Sequence, residues 1–241
     1  MLKYANPANF LVLARYLLPG LAASTAVLLG VGLYLAFFVA PADANQGEIF
    51  RIMYIHVPSA WLSMLAYIGM GVSALGTLVW RHPLADVAQK ASAPLGAAFT
   101  FVCLVTGSIW GRPTWGTWWA WDPRLTSELV LLLMYLGLIA LWQTIEDPGR
   151  AARAVAILTL VGIVNIPIIK FSVEWNSLHQ GESVFRADGP AIYPTMLWPL
   201  LVMALAFTLL FACLLIAAMR NEILRRRVRR LSLLAADMTA Q

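Results

Sequence analysis

Six long apolar runs, separated by polar segments too short to fold alone, leave this chain few architectures. They cover residues 17–39, 58–80, 92–109, 127–145, 153–171 and 194–219. Each has about the 17–25 residues that an α-helix needs to cross ~30 Å of hydrocarbon. Inside a bilayer every backbone N–H and C=O must be satisfied by protein, so such runs become helices rather than open strands. Only 12% of the residues are charged, against about 25% in soluble domains. The expected fold is an all-α integral membrane protein with six transmembrane helices in one membrane domain, closed by a basic tail, 220–241. Ala42-Asp43-Ala44 resembles a signal-peptide cleavage site. The first run, however, exceeds the usual apolar core of about 7–15 residues, which favours a retained span.

Six spans put both termini on one side. With the termini, 81–91 and 146–153 assigned to the inside, that side holds Lys3, Arg15, Arg81, Lys90, Arg150, Arg153, Arg220, Arg225, Arg226, Arg227, Arg229 and Arg230, twelve of the 17 basic residues. The positive-inside rule then makes both termini cytoplasmic and the remaining loops external, facing the periplasm of a Gram-negative inner membrane. The basic excess of +5 is read as topology and anionic-lipid contact. No recognition motif accompanies it, so nucleic acid is not an expected partner.

The external segment between the third and fourth runs, 110–126, is the densest aromatic stretch. Trp110, Trp115, Trp118, Trp119 and Trp121 stand in twelve residues, with Gly111, Gly116, Arg112 and Arg124 among them. One or two tryptophans would be an interfacial belt. Five rigid indoles, each offering roughly 150–250 Å² of surface and one donor, suggest a platform for a large flat ligand. Tyr54, Trp61, Trp175 and Trp198 near outer span ends, and Trp80 and Trp142 near inner ends, read as an ordinary belt.

His56, before the second run, and His179, in the loop 172–193, fall on the tryptophan side; His82 falls opposite. Either alone reads as a hydrogen-bonded loop residue. Together, over an aromatic floor, two neutral imidazoles could supply both axial ligands of a haem iron. Arg51, Arg112, Arg124 and Arg186 are the outer arginines. A planar guanidinium suits a propionate, and Arg124 is the first choice. Asp122 before Pro123 reads first as an N-cap, with Thr126 as a cap and Glu128 as a favourable first-turn acid of the fourth span. Asn165 and Pro167 predict an interhelical hydrogen bond and a kink. There is no intramembrane acidic ladder and no P-loop, which argues against a proton-driven transporter and an intrinsic ATPase. Cys103 and Cys213 form no C-x-x-C pair, so no thioredoxin-like or c-type haem motif is present.

WGRPTWGTWWAWDPRLTSELVL resembles the tryptophan-rich WWD signature of haem-handling membrane proteins. Together with IHVPSAW around His56 and EWNSLHQG around His179, over essentially the whole chain, it resembles the haem exporter protein C (CcmC) family of bacterial cytochrome c maturation. The resemblance implies haem b bound at the periplasmic face of the inner membrane and handed to a periplasmic haem chaperone. It implies a small single-span membrane subunit and an ABC-type ATPase complex as partners, His56 and His179 as axial iron ligands, and Arg124 as the arginine of the tryptophan loop. Trp110, Trp115, Trp118, Trp119, Trp121 and Asp122 complete the expected cofactor-binding set, with haem as substrate rather than permanent cofactor. The expectation is a haem-presenting adaptor rather than an enzyme with its own catalytic residues. The rivals are a membrane cytochrome b-type electron-transfer subunit, a haem transporter, and a scaffold merely anchored by its tryptophans. The first rival usually carries its histidines inside helices, whereas here they lie outside the apolar runs.

Overall fold

The computed structural model describes residues 6–172, 185–186, 189–190 and 192–239. Among the described residues its regular elements are helices, apart from an antiparallel pairing of Phe185–Arg186 with Gly189–Pro190 and an isolated bridge between Asp43 and Gly47. The helices are α1 (Pro7–Tyr34), α2 (Met53–Leu78), α3 (Ala85–Trp115), α4 (Pro123–Thr144), α5 (Pro148–Gly162), α6 (Asn165–Phe171) and α7 (Pro194–Thr239). Six helical segments are long and apolar enough to cross a membrane, α5 and α6 together forming the fifth. The protein is a multi-pass membrane protein.

Three helices share one starting device. Asn6, Asp122 and Asp147 each cap a helix whose next residue is proline, accepting from Ala8 N at 2.8 Å, Leu125 N at 2.7 Å and Arg150 N at 2.6 Å. The carboxylate or amide satisfies an orphan donor, and proline is pre-set for the first turn. Asp122 is thus the N-cap of α4, and Thr126, expected as a cap, lies within α4's first turn.

Several helices outrun the apolar runs. A 3-10 turn, Glu48–Ile52, leads into α2, so Pro58 stands sixth in the helix and not in its first turn. Burial of Met53 and Tyr54 against Ala36, Ala40, Leu200 and Met203 extends the helix upstream. Tyr54 is 1% exposed; it belongs to this core and not to the interfacial belt. Trp80 and Trp198 are exposed, as a belt requires. Trp175 lies outside the described residues. The helix α7 has 46 residues, about 69 Å at 1.5 Å per residue. That is roughly twice the hydrocarbon thickness, so the basic segment continues the helix beyond the apolar part.

The chain breaks between α5 and α6 at residues 163–164. Pro167 has no N–H to return to Ile163, and Asn165 turns its side chain across the bundle to donate to Ser127 O at 2.9 Å. The kink and the interhelical bond expected of these two residues are both present.

Three cores stack along the bundle. At one end Phe10 packs with Leu84, Val87, Met219 and Ile223, which gathers the start of α1, the α2–α3 turn and the middle of α7. In the centre Tyr67, Met70, Leu131, Tyr135 and Leu138 interlock. At the other end Ala36, Met53, Tyr54 and Met203 meet, with Phe50 and Trp110 against them. The tryptophan segment sits at this last end, opposite the basic extension of α7.

Candidate functional site

His56 is the fourth residue of α2, inside the helix rather than before it. That removes one argument against an electron-transfer cytochrome, although the residue is in the first turn and not at mid-span. Its Nδ1 lies 3.1 Å from Cys103 O and 3.0 Å from Thr106 Oγ1, both on α3. A carbonyl only accepts, and the Thr106 hydroxyl is already donating to Val102 O at 2.6 Å. Nδ1 therefore carries a proton, and in the neutral imidazole the lone pair resides on Nε2. A backbone carbonyl on one nitrogen is how proteins fix the tautomer of a metal-ligating histidine and raise its basicity. The close approach of α2 to α3 depends on Gly107, where a Cβ would stand 3.0 Å from His56 Cε1.

Trp110 continues this wall. Its ring meets the imidazole edge-to-face at 5.6 Å and Phe50 at 5.8 Å. Its Nε1 donates to Gln46 Oε1 at 2.6 Å, tying the α1–α2 connection to α3. Trp110 and Trp115 are helical residues, because α3 runs on through Trp115. The helix stops at Gly116, whose φ of +79° is left-handed and open to glycine without strain. Arg112 closes that stop by donating to Gly116 O at 2.7 Å.

The segment from Gly116 to Asp122 is non-helical and held by local bonds. Ser108 donates to Trp118 O at 2.6 Å, and Thr117 donates to Trp119 O at 2.9 Å. Trp118 and Trp121 are 58% and 78% exposed. Trp119 and Trp121 pack edge-to-face at 5.6 Å. The Trp119 Nε1 is buried without a hydrogen-bond partner among the described residues. Exposed indole faces beside an unsatisfied buried donor suit a flat, partly apolar ligand that brings its own acceptor.

Arg124 is half-buried in the first turn of α4. Its charge acts on Glu128, four residues on, and on Cys103. Arg112 stays exposed, and Arg51 is committed elsewhere, to Glu48 and to Ala36 O at 2.5 Å. That carbonyl lies in the π-turn Leu35–Val39, which closes α1. Of the outer arginines whose side chains are described, Arg124 is the one beside the buried part of the site. Arg186 has no described side chain. His179 lies outside the described residues, as do Glu174 and Glu182.

One buried polar group of this end was read from the sequence only as a helix-start acid. Glu128 is 5% exposed, and its Oε1 accepts from Ser63 Oγ on α2 at 2.7 Å. Tyr135 donates from α4 to Ser63 O at 2.7 Å. The only signal was spacing: Ser63 is seven residues after His56 and Glu128 four after Arg124, which puts each pair on one helix face.

The family described as Heme exporter protein C matches residues 1–234 of the chain. The chain is 61% identical over 241 residues to the Heme exporter protein C of Bradyrhizobium diazoefficiens, covering all of this chain and 91% of that protein. It is 49% identical over 229 residues to that of Escherichia coli K12, covering 95% and 92%. With that of Paracoccus denitrificans it shares 42% identity over 228 residues, covering 94% of each. The chain belongs to the Heme exporter protein C family.

Proposed function

We propose that this member of the Heme exporter protein C family holds haem b between His56 and His179 at the tryptophan end of the bundle and passes it to a periplasmic chaperone. The relatives' name, Heme exporter protein C, supports haem as the ligand. The observation that carries the reading is His56: a carbonyl-held Nδ1–H directs the Nε2 lone pair as the ligating atom, beside the Trp110 ring. A low-spin iron needs a second strong ligand, and His179 is our choice. Trp115, Trp118, Trp119 and Trp121 wall the macrocycle, and Arg124 pairs with a propionate. Asp122 contributes through the cap that fixes the first turn of α4, and so the position of Arg124.

The protein acts as an adaptor. It orients haem with one edge open for the chaperone, and orientation alone accelerates a bimolecular step by orders of magnitude. Positive-inside charge supports the tryptophan end as periplasmic, in a bacterial inner membrane, with both termini cytoplasmic. An ABC-type ATPase complex and a small single-span subunit are the partners we assign to it. The test is absorbance and resonance Raman spectroscopy of purified protein. Wild type should give a six-coordinate low-spin spectrum, and His56→Ala and His179→Ala should each lose it and retain less haem. A wild-type spectrum in either variant removes that histidine from the iron.

A further inference from the structure

At the end of the bundle opposite the tryptophans, a cavity of about 1120 Å³ opens between α3, the α4–α5 turn and the basic extension of α7. It exceeds the ~300–1,000 Å³ of an ordinary small-molecule pocket. We infer that it binds the headgroup of an anionic phospholipid, with the first part of an acyl chain lying along the apolar flank. This inference is independent of the haem site.

The lining is amphiphilic along its length. Pro94, inside α3, and Ile139, inside α4, form its apolar flank; Arg225, Arg229 and Arg230 stand on α7 beyond the apolar part of that helix. Between them Lys90 lies over the Trp142 ring, 5.2 Å from its centroid. A cation on an indole is typical of the headgroup level. The Trp142 Nε1 is buried and makes no hydrogen bond among the described residues.

The charges do not cancel. Five cationic side chains and two carboxylates line the cavity. Glu222 is already saturated: Lys90, Arg225 and Arg226 approach it at 3.1, 2.6 and 2.8 Å. Arg226 is further tied to Asp86 at 2.6 Å. Arg229 and Arg230 make no ion pair among the described residues, so their charge faces the cavity uncompensated apart from the exposed Glu146. A phosphate diester satisfies these guanidiniums. The continuation of the cavity onto the apolar flank favours a lipid over a soluble acidic peptide, which has no use for Pro94 and Ile139.

The experiment is native mass spectrometry of the full-length protein in a neutral detergent, titrated with dioleoyl phosphatidylglycerol or dioleoyl phosphatidylcholine. Phosphatidylglycerol adducts should persist where phosphatidylcholine adducts dissociate. Arg229→Gln/Arg230→Gln should weaken retention about 30-fold, at one surface charge each. Arg227→Gln, on the same helix but outside the lining, should change it less than twofold. Circular dichroism verifies that the variants keep their helix, and Arg230→Gln alone provides a milder second variant. Equal retention of the two lipids, or an Arg227→Gln loss as large as the double variant's, overturns the site. Displacement by millimolar inorganic phosphate would make it a free-anion site. Binding of a decaglutamate peptide in the absence of phosphatidylglycerol binding would make it a protein-docking groove.

Discussion

Replacing Gly107 with alanine should separate the fold from the haem site. Glycine inside a helix costs roughly 0.5–1 kcal/mol relative to alanine, so α3 by itself gains from the change. The new methyl, however, stands 3.0 Å from His56 Cε1 and 3.6 Å from Nδ1. Normal carbon contacts begin near 3.5 Å, so the imidazole must retreat by about half an ångström. Without ligand it can do so by rotating on α2. With iron on Nε2 the ring is held from the far side, and the strain falls on the bound state. An off-rotamer side chain costs about 0.5–1.5 kcal/mol, and weakening the 3.1 Å bond to Cys103 O forfeits up to about 1 kcal/mol more. Haem affinity should therefore fall by roughly two- to sixty-fold, while thermal stability is unchanged or higher. The assay is haemin titration by absorbance, run beside a thermal melt. Wild-type affinity and spectrum in Gly107→Ala would refute the placement of His56 as an iron ligand held against α3.

Two further substitutions test neighbouring claims. Asp122→Ala should lower stability by about 1 kcal/mol in a denaturation series, as cap loss does, whereas Asp122→Asn should stay near wild type and keep haem; a large haem loss in the asparagine variant would give the carboxylate a direct role. Gly96→Ala places a methyl 2.2 Å from the Tyr135 ring, so a loss of about 1–3 kcal/mol from overpacking should appear in the melt, with the haem spectrum of the folded fraction unaltered.

The spans were legible because a bilayer leaves the backbone one solution, and 18 or more apolar residues announce it. The helix ends were less legible. Hydropathy stops at polar residues, yet Arg51 in the 3-10 turn before α2 and His56 in the first turn of α2 are tolerated because Ala36 O, Glu48, Cys103 O and Thr106 receive them. Apart from Glu48, three residues before Arg51, no local pattern encodes those partners. Trp110 and Trp115 read as an external segment because the apolar run ends at Ile109 and Gly111 and Gly116 open the backbone, whereas α3 carries Pro113 and stops only where Gly116 turns left-handed. Asp122-Pro123 was readable as a helix start because capping is local chemistry; the same dipeptide at Asp147-Pro148 starts α5 five residues ahead of its apolar run, and hydropathy alone missed it. Tyr54 was misread because amphipathic character does not tell which side of a helix faces neighbours.

The site is placed at helix ends but is held from below. Ser63 is two turns, about 10 Å, along α2 from His56, and Glu128 is one turn, about 6 Å, along α4 from Arg124. The bond between Ser63 and Glu128 fixes the two helices to each other just beneath the residues proposed to hold iron and propionate. Tyr135 repeats the tie through Ser63 O, and Asn165 joins α6 to Ser127 in α4. Buried polar groups paired this way favour one relative position of the helices. A ligand that must be held and then released is better served by rigid walls and a mobile partner than by walls that rearrange. Among the described residues, the exposed Trp118 and Trp121 rings make no such tie on the side where the proposed chaperone would approach.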